Sequence, residues 1–370
     1  MARPSRPAAA AQLPSLYHPW IEALLGGVIP AESEATCNTC AMLPELAASS
    51  PDSGNTFFFD PHVKCCTYVP ALPNFLVGRI LLDLSPEMAR GRESVRARIA
   101  AGVGVTPLSL AQPPVFATLY RQGGAETFGR AVHLRCPHYL TDTGGCGIWR
   151  HRQSVCTTWF CKYVRGAVGQ RFWQALRHLL GVVERTLSVH CVRTLAPGPE
   201  ATQHAASTFY PVSPIRLRAL DLDGAPDPGA RALWGRCFEH EPAFYEAAAR
   251  LVGAMGWDEV RRAGGVELEL AADVLRAAYG ELISGRVPRA LHAGTIHMSL
   301  VSRDVVELTS YNSYHPLTVP AALVSVLHVF DGRPTSKALA AAAEAGVAID
   351  RAVVRQLVDM GVLADADAAP

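Results

Sequence analysis

Eight of the ten cysteines in this chain fall into two groups of four thiols. Cys37, Cys40, Cys65 and Cys66 form the first; Cys136, Cys146, Cys156 and Cys161 form the second. Four thiolates complete the shell of a tetrahedral zinc or hold one four-iron cluster. A Cys-x-x-Cys such as Cys37-Asn38-Thr39-Cys40 puts two sulfurs on one turn, where they suit a common metal. The neighbours Cys65 and Cys66 cannot readily bond to each other, because the ring would be tight and strained. Their two thiols suit one cluster, or one each of two adjacent centres. Lys64 stands beside them, placed to hydrogen-bond sulfide or hold a thiolate. In the second group nine, nine and four residues separate successive cysteines, and the turn Thr141-Asp142-Thr143-Gly144-Gly145 leads into Cys146.

The residues around the thiols suggest supporting roles. Arg150 and Arg152 are placed to offset the charge of a thiolate centre or to hold an anion, or else form a solvated basic strand end. His151 is a ligand replacement or, more simply, a hydrogen-bonded side chain. His62, His133 and His138 lie near the cysteines in sequence and read as supporting or packing residues. Trp159 and Phe160 read as an apolar wall that keeps water from the centre. The isolated Cys191 and Cys237 read as core residues.

The pattern from Cys37-x-x-Cys40 through Cys65-Cys66 to Cys146-Gly147-Ile148-Trp149-Arg150-His151-Arg152 and Cys156 resembles the CxxCxxCC cysteine-cluster family of zinc- or iron-chelating proteins. The resemblance covers roughly residues 35–165. Two features depart from it: 24 residues separate Cys40 from Cys65 instead of two, and Arg152-Gln153 stands where the family has Arg-Pro. A weaker similarity, in the cysteines alone, is to flagellin lysine N-methylase. It implies a protein-modifying, methylase-like activity, without a glycine-rich methyl-donor loop after a strand.

These residues need a scaffold. The chain has 370 residues, enough for two or three domains, and a formal net charge of +1 gives no reason to expect nucleic acid or an anionic membrane as partner. No apolar run of membrane-spanning length appears, and no export signal is recognisable, so the expected location is the cytoplasm. The fold class expected is mostly α with short β segments (α+β). Residues 1–30 read as a loose N-terminus with a helix near Ser15–Leu25, and 31–193 as an irregular eight-cysteine metal-binding domain ending in a long helix from Val164 to Cys191. A linker or excursion is expected over 194–228, a helical domain with a hairpin over 229–315, and a winged-helix-like tail over 316–370. Within the metal domain a turn is expected at Pro51–Asn55 and strands at Thr56–Phe59, Val115–Tyr120 and Ala131–Leu134. In the tail, helices are expected over Val319–Phe330, Thr335–Ala345 and Asp350–Met360, with a turn at Asp331-Gly332. The tail's charges balance, which suits a protein or peptide partner or a structural cap better than DNA. The function expected is iron–sulfur binding, with one or two 4Fe-4S clusters, in a redox or protein-modifying reaction. The alternative is zinc in a structural or scaffold protein without chemistry at the metal.

Overall fold

The computed structural model describes residues 13–29, 31–32, 37, 40–43, 59–208, 226 and 228–367. The chain is mixed α and β, dominated by helices with small antiparallel sheets. It divides into two units, one built from 1–31, 59–159 and 176–275, the other from 32–58, 160–175 and 276–370. The expected domain 31–193 is thus shared between the two. The turn at Pro51–Asn55 and the start of the strand at Thr56 lie outside the described residues.

The first unit begins with helix α1 (His18–Leu25), whose Trp20, Ile21 and Leu24 are buried. Leu72–Pro73 (β1) pairs with Ser109–Leu110 (β2), and between them run α2 (Asn74–Leu82) and α3 (Ala89–Ala101). Asn74 is fully buried, but its amide donates to the Pro107 and Ser188 carbonyls at 2.9 and 3.0 Å. That satisfies groups whose burial unpaired would cost about 1–3 kcal/mol each. Val115–Tyr120, expected as a strand, lies in helix α4 (Pro114–Thr127), and Val132–Leu134 is a 3₁₀ turn. Pro113-Pro114 explains the first difference: proline lacks the N–H that a helix's first turn leaves free, so it opens helices despite β-favouring Val115 and Phe116. Tyr139–Leu140 (β3) and Gly145–Cys146 (β4) form a tight hairpin, followed by the short helix α5 (Ser154–Thr158).

Helix α6 (Gly166–Leu195) is the long helix expected there and runs through both units. Within 194–228, Pro199–Thr208 forms helix α7 instead of a linker, while 209–225 and 227 lie outside the described residues. Helices α8 (Ala230–Trp234), α9 (Glu241–Gly253) and α10 (Trp257–Ile283) follow. Gly78 of α2 permits its close crossing with α9, since a methyl there would overlap the Tyr245 carbonyl. The core of this unit gathers Leu72, Val77, Ile80, Val192, Trp234 and Tyr245.

The second unit carries two three-stranded antiparallel sheets. Ala290–Ala293 (β5) is the middle strand of one. His297–Ser302 (β6), Val305–Thr309 (β7) and Leu317–Pro320 (β8) form the other in that order. The expected helix 319–330 is replaced by the end of β8, a short helix α11 (Ala321–Ser325) and a 3₁₀ turn at Leu327–Val329. Pro320 cannot sit inside a helix and instead opens α11. Asp331-Gly332, expected as a turn, opens strand β9 (Asp331–Pro334), which pairs with β5. Helices α12 (Thr335–Glu344) and α13 (Arg351–Asp359) follow, and Leu363–Asp365 (β10) closes on the other side of β5. Asp350 caps α13, its carboxylate accepting from Val353 N–H at 2.8 Å. A boundary at 315/316 would cut this unit's core, which includes Leu291 and Leu308 with Leu327, Val354 and Leu363. Among the described residues, no helix is long and apolar enough to cross a membrane.

Candidate metal centre

In the first unit, four short segments carry five cysteines. Cys65 and Cys66 lie on a turn in which Val63, Lys64 and Cys66 donate to carbonyls three or four residues back, with Lys64 in the left-handed region (φ 49°). Lys64 reaches across to donate from Nζ to the Gly144 carbonyl at 2.8 Å, and the Tyr139 hydroxyl donates to the Pro61 carbonyl at 2.9 Å. Cys136 N–H donates to the Cys66 carbonyl at 2.8 Å. Cys146 lies opposite Tyr139 in the β3–β4 hairpin, and Gly147 N–H ties the hairpin to the His138 carbonyl. Helix α3 presses on this loop through Gly91, whose missing side chain makes room for the Gly147 carbonyl.

Cys156 comes from α5, held by a buried carboxylate. Glu184 accepts from Ser154 N–H at 2.6 Å, from Ser154 Oγ at 2.7 Å and from the Tyr17 hydroxyl at 2.7 Å. Burial pushes its pKa up to about 7 against those hydrogen bonds. Sequence reasoning missed Glu184. The signal was there: it falls four residues after Leu180, on the apolar stripe of α6, where a carboxylate must be paired.

The thiols interact electrostatically. Burial raises the Cys136 pKa well above the ordinary range, and Cys146 and then Cys156 raise it further; an N–H from His138 and the Arg98 guanidinium oppose this. Burial likewise raises Cys156, followed by Cys146, with Arg152 opposing and Cys65 adding to the rise. The Cys136 N–H bond to the Cys66 carbonyl ties two of these segments together directly.

The second unit holds the other three. Cys40 and Cys161 are buried and Cys37 half-buried. The Cys161 thiol is pushed up to about 12, by burial and then by Cys40, with Lys162 opposing and Cys37 adding to the rise. Asn312 fixes the segment by donating from Nδ2 to the Cys161 carbonyl at 2.9 Å.

The two units divide the eight cysteines differently from their order along the chain. Cys65, Cys66, Cys136, Cys146 and Cys156 lie in the first unit, and Cys37, Cys40 and Cys161 in the second. Chemically the donor sets suit thiophilic metals, for each is made of sulfur alone. Among the described residues, no three His, Cys, Asp or Glu side chains are arranged to hold one metal ion.

No family model, curated protein or solved structure matches this chain.

The flanking residues divide clearly. His138 is buried, bonded through Nδ1 to Ser94 Oγ at 2.8 Å, and its pKa is lowered by burial and then by Arg98 to about 3. Its backbone N–H faces the Cys136 thiol. His62 and His133 are exposed. His151 Nε2 meets Asp83 Oδ2 at 2.9 Å. Arg152 faces the thiols, donating to the Cys156 carbonyl at 3.2 Å, and its guanidinium lies 3.3 Å over the Trp149 ring. Trp159 packs edge-on to Phe128 in the first unit, and Phe160 packs on Trp173 in the second, so the two expected wall residues serve different units. Cys191 is fully buried with Sγ 3.9 Å from the Ala248 carbonyl, and Cys237 packs against the first unit's core.

Proposed function

We propose that this chain is an iron–sulfur protein, its clusters held by two sets of thiols, acting in a redox or protein-modifying reaction. The observation that carries this reading is the placement of Cys65, Cys66, Cys136, Cys146 and Cys156 in one unit, where the Cys136 N–H donates to the Cys66 carbonyl at 2.8 Å. Desolvated thiols that raise one another's pKa destabilise the thiolate form, and a bound cation is the natural compensation. A cluster bound there supplies one-electron transfer. Cys66 is the fifth thiol of this set, and Cys37, Cys40 and Cys161 form the second. Arg98 and Arg152 balance the negative charge, and the His138 N–H tunes Cys136. The resemblance to the cysteine-cluster family agrees with this assignment.

The C-terminal segment is read as a winged-helix-like module on the order of α11, β9, α12, α13 and β10. Its partner would be a protein or peptide and not nucleic acid, and the working location is the cytoplasm. Anaerobic purification followed by iron and acid-labile sulfide analysis tests the reading. Iron and sulfide in equal amounts are expected; stoichiometric zinc without sulfide would establish a structural zinc protein instead.

A further inference from the structure

Strand β6 forms one edge of the sheet β6–β7–β8 in the second unit, and all of its residues, His297–Ser302, are exposed. Among the described residues no strand runs along its other side. An edge strand presents a row of N–H and C=O groups to any strand that can lie beside it.

Proteins usually guard such edges with charge, proline or shortness. The other edges in this unit follow that rule. Strand β8 has four residues and ends in Pro320, β9 carries Asp331, Arg333 and Pro334, and β10 has three residues and ends in Asp365. Strand β6 has six, with no proline and no Asp, Glu, Lys or Arg among them. Its irregularity, between Leu300 and Ser302, falls beside the turn at Arg303-Asp304 and leaves His297–Leu300 in regular register with β7.

That register also places the apolar side chains. Met298 lies opposite Leu308 and Leu300 opposite Val306, and these lie opposite Leu317 and Val319 of β8. Residues directly opposite in an antiparallel pair share a face. Leu308, Val306 and Val319 belong to the buried core of the unit, whereas Met298 and Leu300 are 60% and 74% exposed. The core face of the sheet thus runs one strand beyond the core that covers it.

We propose that two copies of this chain pair antiparallel through β6, about a two-fold axis at Ser299, and join their three-stranded sheets into one of six. That register sets Met298 opposite Leu300 of the partner subunit and Leu300 opposite the partner's Met298, so each copy covers the other's bare apolar pair. Charge favours a second copy as the occupant. His297 falls across from Val301 of the partner subunit, and with no other ionisable residue in the strand, self-pairing sets no like charges against each other. The contact is isologous and closes at the dimer, because β8, the far edge of the joined sheet, ends in Pro320. The pairing is independent of whether the thiols hold metal.

Sedimentation of the full-length, chemically reduced protein between about 1 and 100 µM tests this. A single monomer–dimer equilibrium is expected, and amide exchange in His297–Ser302 should slow as the dimer fills. Leu300→Lys sets two ammonium groups beside the axis. It should weaken the dimer by about tenfold or more and remove the concentration-dependent protection. Leu270→Lys alters another bare apolar residue, 62% exposed on α10 in the first unit, and should leave the dimer unchanged. Circular dichroism checks each fold; if Leu300→Lys does not fold, Met298→Lys takes its place with the same expectation. A monomer throughout the range, a dimer that survives the β6 variant or is lost with Leu270→Lys, or a dimer without slowed exchange in β6 overturns the proposal.

Discussion

Replacing Glu184 by Gln should remove a pH dependence that the wild-type fold carries. The carboxyl is buried, and burial raises its pKa from an ordinary 4.5 to about 7. Below 4.5 it is neutral in folded and unfolded chains alike, and its contribution to stability is complete. As pH rises through this window, the unfolded chain ionises while the fold still holds the proton, so stability falls until about pH 7 and then levels. The displacement corresponds to about 3 kcal/mol in all, of which about 2–3 kcal/mol falls between pH 5 and 8. Glutamine keeps one oxygen for the Ser154 N–H and cannot ionise. Urea unfolding of reduced, chelator-treated protein at pH 5 and pH 8, followed by tryptophan fluorescence, measures both chains. The stability of Glu184→Gln relative to wild type should improve by about 2–3 kcal/mol from pH 5 to pH 8. Parallel pH profiles would refute the reasoning, because every other titrating group is common to both proteins.

Gly91→Ala puts a methyl against the Gly147 carbonyl; it should cost about 1–3 kcal/mol by overpacking and lower metal content by displacing the Cys146 loop. Arg165→Ala removes paired hydrogen bonds to Asp359 at 2.6 Å each, between side chains 24% and 16% exposed. Urea melts should show a loss of about 2 kcal/mol, with Arg355 at 2.9 Å still partnering the carboxylate. A chain ending at His315 should lose the metal of the Cys37, Cys40 and Cys161 set, since β8, β9 and β10 complete the sheets and core of the unit that holds them. Metal analysis of the purified truncation decides this, and full retention would show that the tail is separable.

The helices were legible where periodicity was sustained and caps were present. The stripe from Phe172 to Leu187 marked α6, and Asp350 marked the start of α13. Short elements were less so. Val115–Tyr120 has strand-like composition, but the prolines before it and packing after it make a helix. Asp331–Pro334 has turn-like composition, yet pairing with β5 makes it a strand, because a partner far away in sequence supplies its hydrogen bonds. The eight clustered cysteines stand out in the sequence, whereas the unit in which each one lies does not. Which thiol meets which depends on chain crossings, such as the Cys136 N–H on the Cys66 carbonyl and Lys64 on Gly144, that leave no local mark. Glu184 and the Asp83–His151 pair were hidden for the same reason.

The partition of the thiols is tested most directly by the metal content of paired serine substitutions in anaerobically purified protein. Cys65→Ser and Cys156→Ser each remove a ligand from one set, so their combination should lose no more metal than either alone. Cys156→Ser combined with Cys161→Ser should lose the sum of the two single losses. The opposite pattern, with Cys65→Ser adding to Cys156→Ser, and Cys161→Ser adding nothing to it, would restore the grouping read along the chain and contradict the proposed sets.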